Sequence, residues 1–215
     1  MPKLNVKFRE FTYKDTSFSL LIRSLEEGDA AIIHSAVLLS RENLKPFMDW
    51  SHRETSIEQQ REKIKASIAS CSKGISYDFA VVDSETKDFL MSASLHAPRV
   101  LNKKSLGIGY WTSSNYCNKG LATALTKILI VIAFENFECD RVEIACNKAN
   151  QKSIRVIEKS GFRFECEARN YFSEPTYDMI QNGYNPERTA LLYSLIKDDI
   201  ANLPWYNAVA NGLTR

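Results

Sequence analysis

Cysteine is scarce and unpatterned in this chain: Cys71, Cys117, Cys139, Cys146 and Cys166 are odd in number and form no CxxC pair. That spacing excludes a disulfide framework and a thiolate zinc site, and it fits a reducing compartment. The three histidines, His34, His52 and His96, lie far apart with no HExxH among them, so no metal is expected. A run of about 18 apolar residues is lacking, which excludes a membrane-spanning helix. The opening residues Met1–Lys7 lack the apolar middle and small-residue cleavage site of a signal peptide. Charge of one sign is lacking too. The 28 basic and 26 acidic side chains leave a net charge of +2, not the concentrated basic face of a nucleic-acid binder. Repeats, low-complexity tracts and Gly/Ser linkers are absent. The expected location is cytoplasmic, with no membrane and no direct nucleic-acid partner.

What is present is enough for a sizeable core: 215 residues, 44% of them hydrophobic and 25% charged, a length that suits a single α/β domain. Val6–Tyr13 and Phe18–Ser24 read as strands around a polar turn. Glu26–Ser40 reads as a helix with Asp29 as N-cap and Ala31, Ile32, Ala36, Leu38 and Leu39 as its apolar side. A second helix runs from Ser56 to Ser70, with Thr55 and Glu58 at capping-box spacing and Ile57, Ile64 and Ile68 recurring at helical period. Tyr77–Asp83, Phe89–His96 and Ser105–Thr112 are β-rich. Gly120–Phe137 is a strongly apolar helix, Arg141–Cys146 a short strand, and Asn150–Ser160 a helix closed by Gly161. Phe162–Phe172 and Thr189–Lys197 read as a final strand pair across a long polar connection, 173–188. Strands and helices do not alternate regularly, which favours a mixed, largely antiparallel sheet over a doubly wound one. Residues 1–201 form the expected domain, and 202–215 are a tail whose role stays open.

The chemistry concentrates between Gly109 and Phe162. A strand ends in Gly109-Tyr110-Trp111-Thr112, a polar loop follows, and a helix opens at Gly120-Leu121-Ala122-Thr123. A helix N-terminus exposes unpaired N–H groups and a partial positive charge. A glycine there lets a phosphate approach the backbone, and Lys119 adds a full charge. The plain alternative is that Gly120 only shapes a tight turn. The loop has neither the GKS/GKT of a P-loop nor the spacing of GxGxxG.

Cys117-Asn118-Lys119-Gly120-Leu121-Ala122 resembles motif A of the GNAT superfamily, Arg/Gln-x-x-Gly-x-Gly/Ala. Cys117 departs from it where Arg or Gln is usual. Ile108–Trp111 and Arg141–Ile144 resemble the fourth and fifth strands of the subfamily that acetylates ribosomal-protein N-termini, the RimJ/RimL type. Asn150-Gln151-Lys152-Ser153 followed by Gly161-Phe162 resembles motif B, and Leu44–Trp50 the acceptor-side segment. The resemblance implies an α/β GNAT fold, with a mostly antiparallel sheet of about seven strands and flanking helices, splayed between strands four and five. It implies acetyl-CoA as cofactor, its pantetheine arm along Tyr110, Trp111 and Thr112 and its pyrophosphate over Asn118, Lys119, Gly120, Leu121, Ala122 and Thr123.

Many members of the superfamily place a tyrosine seven residues after the motif B asparagine, but this position is Ile157. The resemblance therefore puts Ser153 forward as partner of the departing thiol and Asn150 as a group that orients CoA or substrate. The bland reading is that Asn150 caps its helix and Ser153 satisfies the first turn. No general base announces itself. Glu143 reads as solvent-facing, His96 as an edge residue and Glu165 as structural. An α-amine titrates near ~7.7–8.0 against ~10.4 for lysine, so an N-terminal acceptor needs a base least. The expected activity is acetyl transfer to a protein or peptide N-terminus, by a monomer or homodimer. The alternatives are a small-molecule amine acceptor or a non-catalytic CoA sensor.

Overall fold

The computed structural model describes residues 10–97, 104–181, 183–184 and 186–214. The strand expected from Val6 therefore begins its described part at β1, Glu10–Lys14, followed by β2, Ser19–Ser24. In β1 the period-two pattern buries Phe11 and Tyr13 and leaves their neighbours in solvent. β3 (Ser76–Asp83), β4 (Phe89–His96) and β5 (Ser105–Thr112) continue the meander. β6 (Arg141–Asn147), β7 (Arg163–Ala168), β8 (Ala190–Ile196) and a short β9 (Leu213–Thr214) complete one sheet in the order β7-β8-β6-β5-β4-β3-β2-β1-β9. The described strands number nine rather than about seven. All neighbouring pairs are antiparallel except β5 with β6.

Helices cover both faces, and the alternation of β3 assigns them. Phe79 and Val81 join the core beneath α3, Leu121–Val131, whereas Ala80 packs with α1, Ala30–Leu44, and α2, Ile57–Ser72. α3 is apolar almost all round because the sheet lies on one side and α4 (Gln151–Lys159) and α6 (Tyr206–Gly212) flank it on the others. Its Leu125, Ile128, Leu129 and Ile130 are fully buried, each stabilising the fold by roughly 1.5–3 kcal/mol. The expected single helix to Phe137 changes character at Ile132–Asn136, where the backbone widens into a π turn.

Several local expectations are corrected. α1 buries Ala30, Ile33, Ala36, Val37, Ser40 and Leu44, while Ile32, Leu38 and Leu39 are exposed at 43%, 48% and 54%. Ala31 also faces solvent. The helix carries two apolar stripes, and only tertiary contact with α2 and the sheet selects one. Asp29 holds the N-cap position of α1 as expected, but its side chain makes no cap bond there; it accepts a bidentate pair from Arg23 at 2.6 and 2.8 Å. The α2 capping box uses Ser56 and Gln59 in place of Thr55 and Glu58. Of the expected α2 stripe, Ile64 is buried, but Ile57 and Ile68 are exposed. The 173–188 connection holds a one-turn helix, α5, Tyr177–Gln181.

The tail joins the fold. Leu203 packs against Gly161, the Tyr206 hydroxyl donates to Glu135 at 2.9 Å, and β9 pairs with β1.

Candidate functional site

The site begins where one pairing stops. The parallel register of β5 and β6 ends at Ile108↔Ile144, yet β5 runs on to Thr112 and β6 to Asn147. β4 holds the outer edge of β5 through Met91↔Thr112, and β8 holds β6 through Asn147↔Ala190. The two strands therefore diverge between fixed supports. They leave a wedge lined by backbone from Gly109–Thr112 and Ala145–Asn147. These are the strands that the family resemblance assigns as fourth and fifth.

At the mouth of the wedge the chain turns from β5 into α3. Asn118 and Gly120 both take left-handed conformations, with φ of 62° and 81°. Such a turn aims consecutive N–H groups toward one point. No side chain caps α3, and its first backbone bond is Ala124 N–H to Gly120 O at 3.1 Å. The N–H groups of Leu121, Ala122 and Thr123 thus have no partner within the helix. A methyl group at Gly120 would meet nothing nearer than Phe18 Cζ at 4.0 Å, so the space above the turn is open. This donor set fits a pyrophosphate. Leu121 is buried and anchors the turn in the core. Lys119 is exposed, its ammonium 5.1 Å over the Tyr116 ring. Cys117 folds its thiol back toward the carbonyls of Thr112 and Ser113, so it shapes the loop instead of offering a cation.

On the opposite wall Asn150 N-caps α4, its Oδ1 accepting from the Ser153 N–H at 3.0 Å. That contact aims the first turn of α4 back across the wedge. Ser153 Oγ meets Tyr110 Oη at 3.2 Å. Burial pushes the Tyr110 phenol up to about 12, so it stays protonated, and either hydroxyl can be the donor of this contact. The side chain of Tyr110 is the contact that sequence reasoning missed, since only its place on the cofactor strand was expected. Ile157 is fully buried and belongs to the core.

The side that the resemblance assigns to the acceptor is aromatic. The Trp111 ring lies 6.1 Å from Trp50 and 5.6 Å from Phe89. His52 stacks 4.4 Å from Tyr184 and places Nε2 3.0 Å from Lys45 O. The segment after α1 and the long connection thus converge, as their lengths alone could not say. The Tyr184 hydroxyl is buried without a hydrogen-bond partner, and burial, with the Asp49 carboxylate next, raises its pKa.

The acidic residues on β6 and β7 are engaged elsewhere. Arg141 donates to Glu143 at 2.7 Å and to Glu165 at 2.9 Å, and Glu165 also accepts from Ser194. Arg141 and then Ser194 hold the Glu165 carboxyl below its ordinary range. His96 lies over Gly107, where a Cβ would stand 2.2 Å from its Nε2.

Comparison with known proteins agrees with this layout. Residues 19–163 match the model of the acetyltransferase (GNAT) domain. YdaF of Bacillus subtilis, provisionally named a ribosomal N-acetyltransferase, is 29% identical over 170 residues, 75% of this chain and 88% of its own length. Mycobacterium smegmatis RimJ, solved with a CoA disulfide, superposes with a TM-score of 0.77 at 20% identity, covering 94% of this chain and 93% of that one. RimL, a ribosomal L7/L12 α-N-protein acetyltransferase solved with coenzyme A, gives 0.73 at 21% identity, covering 87% and 98%. At these identities the two structures speak for the fold.

Proposed function

Since the chain belongs to the GNAT family of acetyltransferases, whose acyl donor is acetyl-CoA, we propose that it acetylates the α-amino group of a protein or peptide N-terminus, a ribosomal protein among the candidates. The observation that carries this reading is the wedge between β5 and β6, which leads from an uncapped α3 N-terminus to the Ser153–Tyr110 pair. Bound acetyl-CoA supplies an activated acetyl group as a thioester. The N–H groups of residues 121–123, together with Lys119, hold its pyrophosphate. Tyr110, Trp111 and Thr112 flank the pantetheine arm. Asn150 fixes the first turn of α4 so that Ser153 faces the wedge. The Tyr110 O–H donates to Ser153 Oγ, leaving the serine proton free to point at the sulfur.

The acceptor class rests on two supports. With Glu143 and Glu165 tied to Arg141, an α-amine, about half or more of it neutral at pH 8, suits the wall better than a lysine. The similarity to YdaF points the same way. A small-molecule amine is the second reading, favoured by the Asp49 carboxylate near Tyr184 on the acceptor lip. A thiol-release assay with acetyl-CoA tests both, using N-terminal peptides, the same peptides with the α-amine blocked, polyamines and amino sugars. Turnover on the free α-amine, lost on blocking, is the expected result. Turnover on small amines alone moves the enzyme to the second reading, and CoA binding without any turnover makes it a sensor.

A further inference from the structure

Acetyl transfer leaves one proton in need of a destination. The amine nitrogen must shed it as it bonds to the acetyl carbon. Glu143 and Glu165 are tied to Arg141, and the Tyr110 phenol stays protonated, so those groups of the wedge offer no base. The opposite face of the sheet holds a better candidate.

The Trp111 side chain leaves β5 on the α1/α2 face, where it packs with Phe89 and Trp50. This ties the turn at Asp49–His52 to the β5 wall of the wedge. The 173–188 connection is tied to the β6 wall. There the Asn147 side-chain amide donates to Glu187 O, and the Lys148 N–H donates to Thr189 O at 3.0 Å. His52 stacks on Tyr184 with 4.4 Å between centroids. The stack therefore joins the segments anchored on the two walls and bridges the wedge on the side away from α3.

The ring is also set in one tautomer. A carbonyl oxygen only accepts, so the 3.0 Å contact of His52 Nε2 with Lys45 O places the hydrogen on Nε2. In the neutral imidazole Nδ1 then carries the unshared pair. Among the described residues, Nδ1 has no hydrogen-bond partner. From α1, Glu42 faces the ring, with Arg41 beside that carboxylate and Lys45 paired to it at 2.6 Å. Asp49 stands on the same turn as His52 and acts on Tyr184, the titratable group of the connection.

We propose that His52 is the general base of the reaction. The C–N bond forms, the C–S bond breaks and CoA leaves as the thiolate. The proton of the amine passes to Nδ1 of His52 and from there to water. The inference rests on the acetyl-transfer reading above and holds for either acceptor class.

Thiol release by the full chain tests it, with saturating acetyl-CoA and a lysine-free peptide bearing a free α-amine, and with an amino sugar in a second arm. In the unmodified protein, log kcat/KM for the acceptor should rise along its acid limb with a slope approaching two, because the amine and Nδ1 must both be unprotonated. His52→Gln keeps a side-chain amide that can donate to Lys45 O but has no basic nitrogen. In that variant the slope should fall to one and kcat should drop about 100-fold, the lower end of what a general base contributes. Free imidazole should restore part of the rate to His52→Ala and none to Ser153→Ala. Full activity in His52→Gln, or a slope unchanged from the unmodified protein, overturns the proposal and leaves the acetyl-transfer reading intact. So does a slower His52→Ala that imidazole does not rescue, since His52 would then be structural. No turnover of either acceptor by the unmodified protein overturns both.

Discussion

Replacing Tyr110 with Phe keeps the ring, its packing against the core and the strand, and removes one oxygen. That oxygen is 3.2 Å from Ser153 Oγ. Two roles are conceivable for it, and the energetics separate them. As a proton donor to the leaving thiolate, a phenol near 12 would face a thiol of ~8.5, a transfer about 5 kcal/mol uphill. As a fixed hydrogen-bond donor it transfers no proton. It occupies one lone pair of Ser153 and so directs the serine hydroxyl toward the sulfur. The raised pKa favours the second role.

The magnitude follows from that choice. A hydrogen bond that orients another contributes about 0.5–1.5 kcal/mol, so kcat should fall about 2- to 12-fold in Tyr110→Phe. Ser153→Ala removes the contact to the developing thiolate itself, worth about 1.5–3 kcal/mol, and should cost about 10- to 150-fold. Because Tyr110 acts through Ser153, the double variant should be no slower than Ser153→Ala alone. The affinity for acetyl-CoA should stay within about twofold throughout, with the expected loss confined to kcat. The assay is thiol release under acetyl-CoA saturation from pH 6 to 10, with binding measured separately by calorimetry. Additive losses in the double variant would refute the reasoning. So would an alkaline limb in the rate profile that disappears in Tyr110→Phe, since it would mean the phenol ionises during turnover.

Four further outcomes are expected. Gly120→Ala meets open space, so its stability cost is the backbone term for a left-handed residue, about 1–2 kcal/mol; thermal unfolding should drop by about 2–8 °C, and CoA affinity should fall because the methyl stands where a phosphate approaches. Gly161→Ala carries the same backbone cost at φ 84° and also drives its Cβ to 2.4 Å from Leu203 Cδ2, so in the same melts it should lose more stability than Gly120→Ala with no specific effect on CoA binding. Burial alone would raise the Asp29 carboxyl, but the Arg23 pair and the Glu26 N–H outweigh it and hold it below its ordinary value; its stabilisation is complete above the unfolded pKa near ~3.9 and is lost as pH falls through the folded one. Denaturant titration should accordingly find Asp29→Asn weaker by about 1.5–3 kcal/mol at pH 7, with the difference shrinking in acid. Glu165→Gln should leave kcat and its pH profile within about twofold, because Arg141 and Ser194 already occupy that carboxylate; loss of an essential basic limb would make it the missing base.

The elements of the site could be read from the chain because each depends on local chemistry. The motif A resemblance rests on a glycine that opens an apolar helix, a local pattern, and Gly120 takes the left-handed conformation such a turn needs. Asn150 three residues before Ser153 is a capping pattern, and the cap is made. What escaped the sequence depends on which faces meet. In α1, Ile33 and Val37 are buried while the equally apolar Ile32, Leu38 and Leu39 face solvent. Helical period cannot choose between two stripes when α2, thirteen or more residues away, makes the choice. The Tyr110–Ser153 contact spans 43 residues, and the pairing of His52 with Tyr184 spans three times that separation. The tail is the sharpest case. Trp205 and Tyr206 sit in the tail whose role stays open on sequence, since nothing local says that β9 will pair with β1, far back along the chain. Once it does, α6 is laid along α3 beside Gly120 and Thr123. A segment that local patterning left without a role thereby comes to border the cofactor turn.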